Sequence, residues 1–228
     1  MFQKRISIYL LLVLFILIIS AIFIWWQQNQ SKQEVANWDN PDYVFNIAIP
    51  DDFDEYKIER LQKKIDEART AYTEEKEQNY TWDIIGNMYE FVRDYERALV
   101  AYHKSFDKEP NDVIAILNIA TINEEQFANY TEAEKYYSEA IKIFPQMPDV
   151  YDRLALLYWR KMGRIEDAET IYLQGLEQTN NHSDVFFDII KFYEQTDQPD
   201  KRLIYIKKLL ETYPDNQVYQ NEFGHLIK

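Results

Sequence analysis

Small residues recur in pairs along this chain, and the pairs keep a steady stride. Gly86 stands with Ala98, Ala120 with Ala133, and Ala155 with Ala168; partners lie 12 or 13 residues apart, successive pairs 34 or 35. Four residues beyond each second partner comes a tyrosine: Tyr102, Tyr137 and Tyr172. Before each first partner, apolar residues hold helical spacing, as in Trp82 and Ile85, Ile116 and Ile119, Tyr151 and Leu154. A unit of this length, apolar on both sides of a turn, is a helical hairpin that cannot bury its face alone. Stacking buries it, so the stride dictates an array of hairpins.

Gly86 sharpens the point. In WDIIGNMY it interrupts a helix-forming run, where glycine costs about 1 kcal/mol relative to alanine. The pairing supplies a reason: at Gly86 and Ala98 the antiparallel helices are expected to touch most closely. A larger side chain there would force them apart.

Four units follow in tandem: 79–112, 113–147, 148–182 and 183–216. The first carries Trp82, Ile85, Gly86, Tyr89, Ala98, Tyr102, Ser105 and Pro110. The second aligns Ile116, Ile119, Ala120, Asn123, Ala133, Tyr137, Ala140 and Pro145. The third aligns Tyr151, Leu154, Ala155, Tyr158, Ala168, Tyr172 and Gly175, with Asn180 in place of proline. The fourth aligns Phe186, Ile189, Ile190, Tyr193, Arg202, Ile206, Leu209 and Pro214. This pattern resembles the tetratricopeptide repeat, with Ile for the usual Leu, Tyr for Phe and Ser for the late Ala in the first unit. The resemblance implies an all-α fold, a right-handed α-solenoid of helical hairpins.

The second and third units each hold one extra residue between their small positions, expected in the turn, where insertions cost least. Gly163 suits a left-handed helix end. Ile190 and Arg202 replace the small pair in the fourth unit, which should therefore pack more loosely. QVYQNEFGHLIK, residues 217–228, starts another first helix and stops, as a capping helix would. Upstream, residues 51–78 place Ile58, Leu61, Ile65, Ala68 and Tyr72 on one stripe behind three capping aspartates, predicting one flanking helix.

The first thirty residues are a different material. Lys4 and Arg5 precede Ile6 to Trp26, which holds no charge. As a helix that stretch spans about 31 Å, the hydrocarbon thickness of a bilayer. Trp25 and Trp26 stand at its downstream edge, where interfacial aromatics gather. The run is too long, and its downstream end too bulky, for a cleaved signal peptide. Residues 1–30 thus read as a single transmembrane anchor with its span at 6–26, ahead of the solenoid. Lys4 and Arg5 before it, against Lys32 soon after, place the amino terminus in the cytoplasm. The repeats would then lie on the extracytoplasmic side, periplasmic or extracellular, of a bacterial inner membrane. Residues 31–50 form a juxtamembrane tether whose Trp38, Tyr43, Phe45, Ile47 and Ile49 are too apolar for a solvated linker. Part of it is expected to lie against the folded domain.

Composition narrows function by exclusion. A formal charge of −14 repels phosphate backbones, so nucleic acid is not an expected partner. With no cysteine there is no disulfide, thiolate metal site or cysteine nucleophile. His103, His182 and His225 fall in different units without metal-ligand spacing and read as surface residues. No motif implies an enzyme, a cofactor or a metal. Asn29, Asn79, Asn129 and Asn181 each begin an Asn-x-Ser/Thr triplet, which an acidic, Asn-rich surface produces by chance.

What remains is binding. The resemblance implies a concave groove lined by the first helix of each unit, holding a protein or peptide partner. Off the packing columns those helices present Asp83, Asn87 and Glu90, then Leu117, Asn118 and Thr121. The third contributes Asp152, Arg153, Leu156 and Arg160, and the fourth Phe187 and Lys191. The groove is mixed in charge, with Arg153, Arg160 and Lys191 concentrating positive charge in its later half. Asn87, Asn118 and Arg153 match three positions of the clamp by which some family members hold carboxylate tails. Its lysine positions hold Asp83 and Asp149, so that clamp is not expected here. A membrane-anchored scaffold or assembly factor is the implied function. The alternative is an accessory periplasmic chaperone of translocating or unfolded chains.

Overall fold

A computed structural model of the chain describes residues 38–227, and among these every regular element is helical. The anchor expected at 6–26 and the start of the tether lie outside the described residues. Among the described residues no helix is long and apolar enough to cross a membrane. The chain divides into two compact units, with the division after Ile58.

In the first unit a short helix, α1 (Pro41–Val44), is capped by the Asn40 side chain, which accepts from the Asp42 N–H at 2.9 Å. Trp38 and Val44 are fully buried, and Trp38 meets Tyr43 edge-on with ring centroids 6.0 Å apart. Of the tether's other apolar residues, Tyr43, Phe45 and Ile47 are partly buried, while Ile49 is exposed.

Most of α2 (Glu55–Glu75) belongs to the second unit. Its start is capped by Asp54, whose carboxylate accepts from the Lys57 N–H at 2.8 Å. Leu61, Ala68 and Tyr72 are its buried stripe, whereas Ile58 is exposed. Tyr72 packs edge-on against Trp82 of α3, 6.0 Å between centroids.

The hairpins then pair as the stride requires. They are α3 (Asn79–Phe91) with α4 (Tyr95–Lys108), α5 (Val113–Glu125) with α6 (Tyr130–Ile143), α7 (Pro148–Leu156) with α8 (Ile165–Gln178), and α9 (Ser183–Gln195) with α10 (Pro199–Thr212). A final helix, α11 (Gln217–Phe223), runs into a 3-10 turn, Gly224–Ile227. Ala98, Ala120, Ala133, Ala155 and Ala168 are all fully buried, as close helix–helix contact demands.

Gly86 has a more specific reason than its pairing with Ala98. A Cβ built there would fall 2.6 Å from Cε1 of Tyr102, well inside van der Waals contact distance of the ring. The tyrosine of the second helix lies across the first helix at this point.

One turn design joins every hairpin. Arg93, Ala128, Gly163 and Asp197 each have φ between 50° and 67°, directly before the residue that caps the second helix. The following N–H bonds back to the first helix: Asp94 to Tyr89, Asn129 to Asn123, Arg164 to Tyr158 and Gln198 to Tyr193. The bond reaches back five residues in the first and fourth hairpins and six in the second and third. That step is where the extra residue goes. In the third hairpin it enters the helix itself, because Leu157–Lys161 form a π turn at the end of α7.

With the π turn Leu157–Lys161 counted as part of the third hairpin, the fourth makes the least extensive helix–helix approach of the four, in line with Ile190 and Arg202 at its small positions. Arg202 pairs with Glu194 at 3.0 Å, but its Nε is buried without a hydrogen-bond partner.

Candidate functional site

The first helices α3, α5, α7 and α9 share one face, and the tyrosines of the second helices reach through to it. The Tyr102 hydroxyl lies 2.9 Å from both Asn87 Oδ1 and Glu90 Oε2. Tyr137 donates to Glu124 at 3.0 Å and lies 3.2 Å from the Thr121 hydroxyl. Tyr172 donates to Asp152 at 2.9 Å. Each ring fills the packing column, and each hydroxyl orders a polar side chain on the face beyond. Burial beside carboxylates keeps these phenols protonated; that of Tyr137 is pushed up to about 12. The sequence signal was Tyr where the repeat usually has Phe, since a buried tyrosine needs a partner for its hydroxyl.

Two recesses open on this face. One, about 110 Å³, lies between α7 and α9; Asp152, Leu156, Arg160 and Lys191 line it, with Asp188 and Tyr172. Trp159 and Phe192 form its aromatic wall, perpendicular with centroids 5.4 Å apart. Burial raises the Asp188 carboxyl to about 7, helped by the Asp152 and Asp184 carboxylates and opposed by Lys191. Burial raises Asp152 as well. Asp188 was not among the residues expected from the sequence. The second recess, about 360 Å³, brings Asn87, Glu90 and Asn118 together with Arg60, Lys64 and Phe91. Arg60 and Lys64 of α2 lie over the Phe91 ring at 5.3 and 5.5 Å.

The remaining expected residues divide. Arg153 is held by Asp149 at 2.7 Å and reaches Thr121 at 3.4 Å; with the partly buried Leu117, these residues line neither recess. Two expectations are corrected. Asp83 does not face the groove: it is 5 % exposed, wedged between the first two hairpins beside Asp112 and Ser105. Burial and the neighbouring Asp112 carboxylate raise its carboxyl to about 7. Asp112 in turn accepts from Asn79 at 2.6 Å and Ser105 at 3.1 Å, and caps α5. Phe187 is covered by α11, with Tyr219 and Phe223 centroids at 5.2 and 5.9 Å. The later half of the face is mixed in charge: Asp149, Asp152 and Asp188 accompany its three cations.

His103 is another correction. It is half-buried between hairpins, its Nδ1 3.3 Å from the Tyr136 hydroxyl, and burial lowers its pKa. His182 caps α9, accepting from the Asp184 N–H at 3.3 Å. Two of the Asn-x-Ser/Thr asparagines also have structural work: Asn79 donates to Asp112, and Asn129 caps α6. Among the described residues no group of three or more histidines and carboxylates is placed to hold a metal ion.

Comparison with known proteins agrees with this architecture. Residues 126–186 match the tetratricopeptide repeat family. The chain is 30 % identical over 134 residues to human interferon-induced protein with tetratricopeptide repeats 2, covering 57 % of this chain and 28 % of that protein. It is 30 % identical over 93 residues to the photosystem I assembly protein Ycf3 of Rippkaea orientalis, covering 37 % of this chain and 53 % of that protein. The chain thus spans about half or less of the length of these relatives. Among solved structures, a crystal structure of MamA superposes with a TM-score of 0.52 at 17 % identity, covering 73 % of this chain and 99 % of that one. Another of MamA gives 0.51 at 17 % identity over 75 % and 93 %. Such identities speak for the fold alone. The repeat sequence matched at 126–186 thus lies within a stack of hairpins of one design that continues on either side, the fold these solved structures share.

Proposed function

We propose that this chain is a membrane-anchored scaffold or assembly factor whose first-helix face docks a segment of a partner protein. The observation that carries the reading is the order imposed on that face. Three buried tyrosines lock its polar side chains from behind, so a partner meets a preformed surface and loses little entropy in ordering it. The recess between α7 and α9 adds aromatic walls and paired acids and bases, the mixture that gives specificity to a peptide site. The match to a photosystem I assembly protein supports the assembly role by resemblance over the repeats.

Residues 6–26 serve as the anchor, with the amino terminus cytoplasmic and the repeats across the membrane. The uncharged 21-residue run and the lysine and arginine before it support this topology. Protease added outside intact cells should digest the repeats and spare an amino-terminal tag; the reverse pattern overturns the orientation.

Docking is tested by capture from solubilised membranes. Arg160→Glu/Lys191→Glu changes two exposed side chains of the recess and should leave the fold intact. Capture of one dominant partner should fall about tenfold, a loss of about 1.4 kcal/mol. Unchanged capture by the folded variant would sink the reading. Crosslinking to many unfolded clients, in place of one dominant partner, would favour the chaperone.

A further inference from the structure

Two helical stripes at opposite ends of the repeat unit are complementary. On α10, Leu203 and Ile204 are 42 % and 51 % exposed, and Lys207 and Lys208 continue the same outward stripe. Lys207 is tied only loosely, 3.9 Å from Glu211. On α2, the stripe from Lys63 to Glu75 presents Asp66, Glu67, Glu74 and Glu75 around a recess of about 680 Å³. Its floor is apolar: Ala71 of α2 with Tyr80 and Ile84 of α3, Tyr80 being 42 % exposed. One surface is apolar with lysines, the other apolar with four carboxylates against one lysine. At 1.5 Å per residue the α10 stripe runs about 8 Å and fits within the α2 stripe of about 18 Å.

We propose that α10 of one copy docks into the α2–α3 recess of a second copy, so that the repeats associate head to tail. Leu203 and Ile204 would cover the Ala71–Tyr80–Ile84 floor, and Lys207 and Lys208 would meet Glu74 and Glu75. Charge complementarity argues for this occupant: the chain carries a net charge of −14, so like faces of two copies repel and the lysine stripe selects the acidic recess. The contact is heterologous, with nothing that closes it at two subunits, and it leaves the recess between α7 and α9 open for a partner.

The absence of cysteine makes the test clean. Full-length chains carrying Thr70→Cys and Ile204→Cys, distinctly tagged, co-expressed and oxidised in isolated membranes with copper phenanthroline and air, should form a mixed disulfide. Its yield should exceed that of control pairs using the exposed Thr131→Cys by about tenfold or more. The double variant T70C/I204C should give a ladder of products beyond the dimer. Lys207→Glu/Lys208→Glu should abolish the mixed disulfide, and Glu74→Lys/Glu75→Lys in the other copy should restore it to within about threefold. A yield no higher than the control, or reversal without restoration, overturns the proposal. So does shielding of the I204C thiol from a water-soluble maleimide only in anionic lipid vesicles, which would make a lipid surface the occupant.

Discussion

Gly163 and Ala128 occupy the same left-handed turn position in neighbouring hairpins, at φ of 67° and 50°. A Cβ at Gly163 would meet nothing within 4 Å, so any effect of Gly163→Ala comes from the backbone alone. We expect a loss of about 1 kcal/mol, and a gain of about 0.5 kcal/mol for Ala128→Gly, read from denaturant midpoints. Gly86→Ala is the steric counterpart. Its helix-propensity gain of about 1 kcal/mol is set against an overlap with a tethered tyrosine ring, which costs roughly 1–3 kcal/mol. The variant should be less stable; greater stability would mean that Tyr102 does not press on Gly86.

Asp83 makes stability depend on pH. Its carboxyl titrates near 7 in the fold, against 3.8 when unconstrained, so between those values the folded chain keeps a proton that the unfolded chain releases. Stability therefore falls as pH rises from about 4 to 7 and levels off above, a change on the order of 2–4 kcal/mol. Asp83→Asn still donates to Asp112 without titrating. It should flatten most of this slope and exceed the parent in stability at pH 8. The slope that remains belongs to Asp188, Asp152 and Glu124, raised in the same direction but partly exposed and more screened, and is opposed by His103, whose pKa is lowered.

At the scale of elements, glutamates clip successive hairpins together. Glu169 of α8 accepts from the Tyr193 hydroxyl at 2.9 Å and from Lys201 at 2.7 Å, both in the fourth hairpin. Glu134 of α6 does the same for Tyr158 at 2.8 Å and Arg164 at 3.2 Å in the third. Burial and Glu134 push the Tyr158 phenol up to about 12. A cycle of Glu169→Gln and Tyr193→Phe should show a coupling of about 0.5–1.5 kcal/mol. Because the fourth hairpin makes the least extensive internal contact, hydrogen exchange should open α9 to α11 before α3 to α6. Uniform protection along the array would contradict that order.

At the scale of the whole molecule, stability is a sum over hairpins and the interfaces between them. The capping helix shows why array ends differ from middles. Phe223 is buried on Phe187, where an interior unit would place the next first helix. Phe223→Ala should cost roughly 3 kcal/mol and act chiefly on the last hairpin. Two well-separated unfolding transitions in calorimetry would fit a weakly coupled end; a single transition shared equally by every hairpin would not.

The sequence by itself determined the hairpins: their number, their pairing and the burial of the alanine columns. Those features come from contacts within some thirty residues, and a small side chain in a helix period encodes such a contact directly. It also marked the turn that needs a left-handed residue at Gly163 and the hairpin that packs least extensively. Only the tertiary structure decided which first-helix polar residues reach the open face. Asp83 and Phe187 carry the same helical phase as Asp152, yet one is wedged against Asp112 and the other lies under α11. Their fate depends on what the next hairpin places over them, about one repeat farther along the chain. Helical periodicity within one segment carries no record of that neighbour, and the same blindness hid Asp188 and the half-burial of His103.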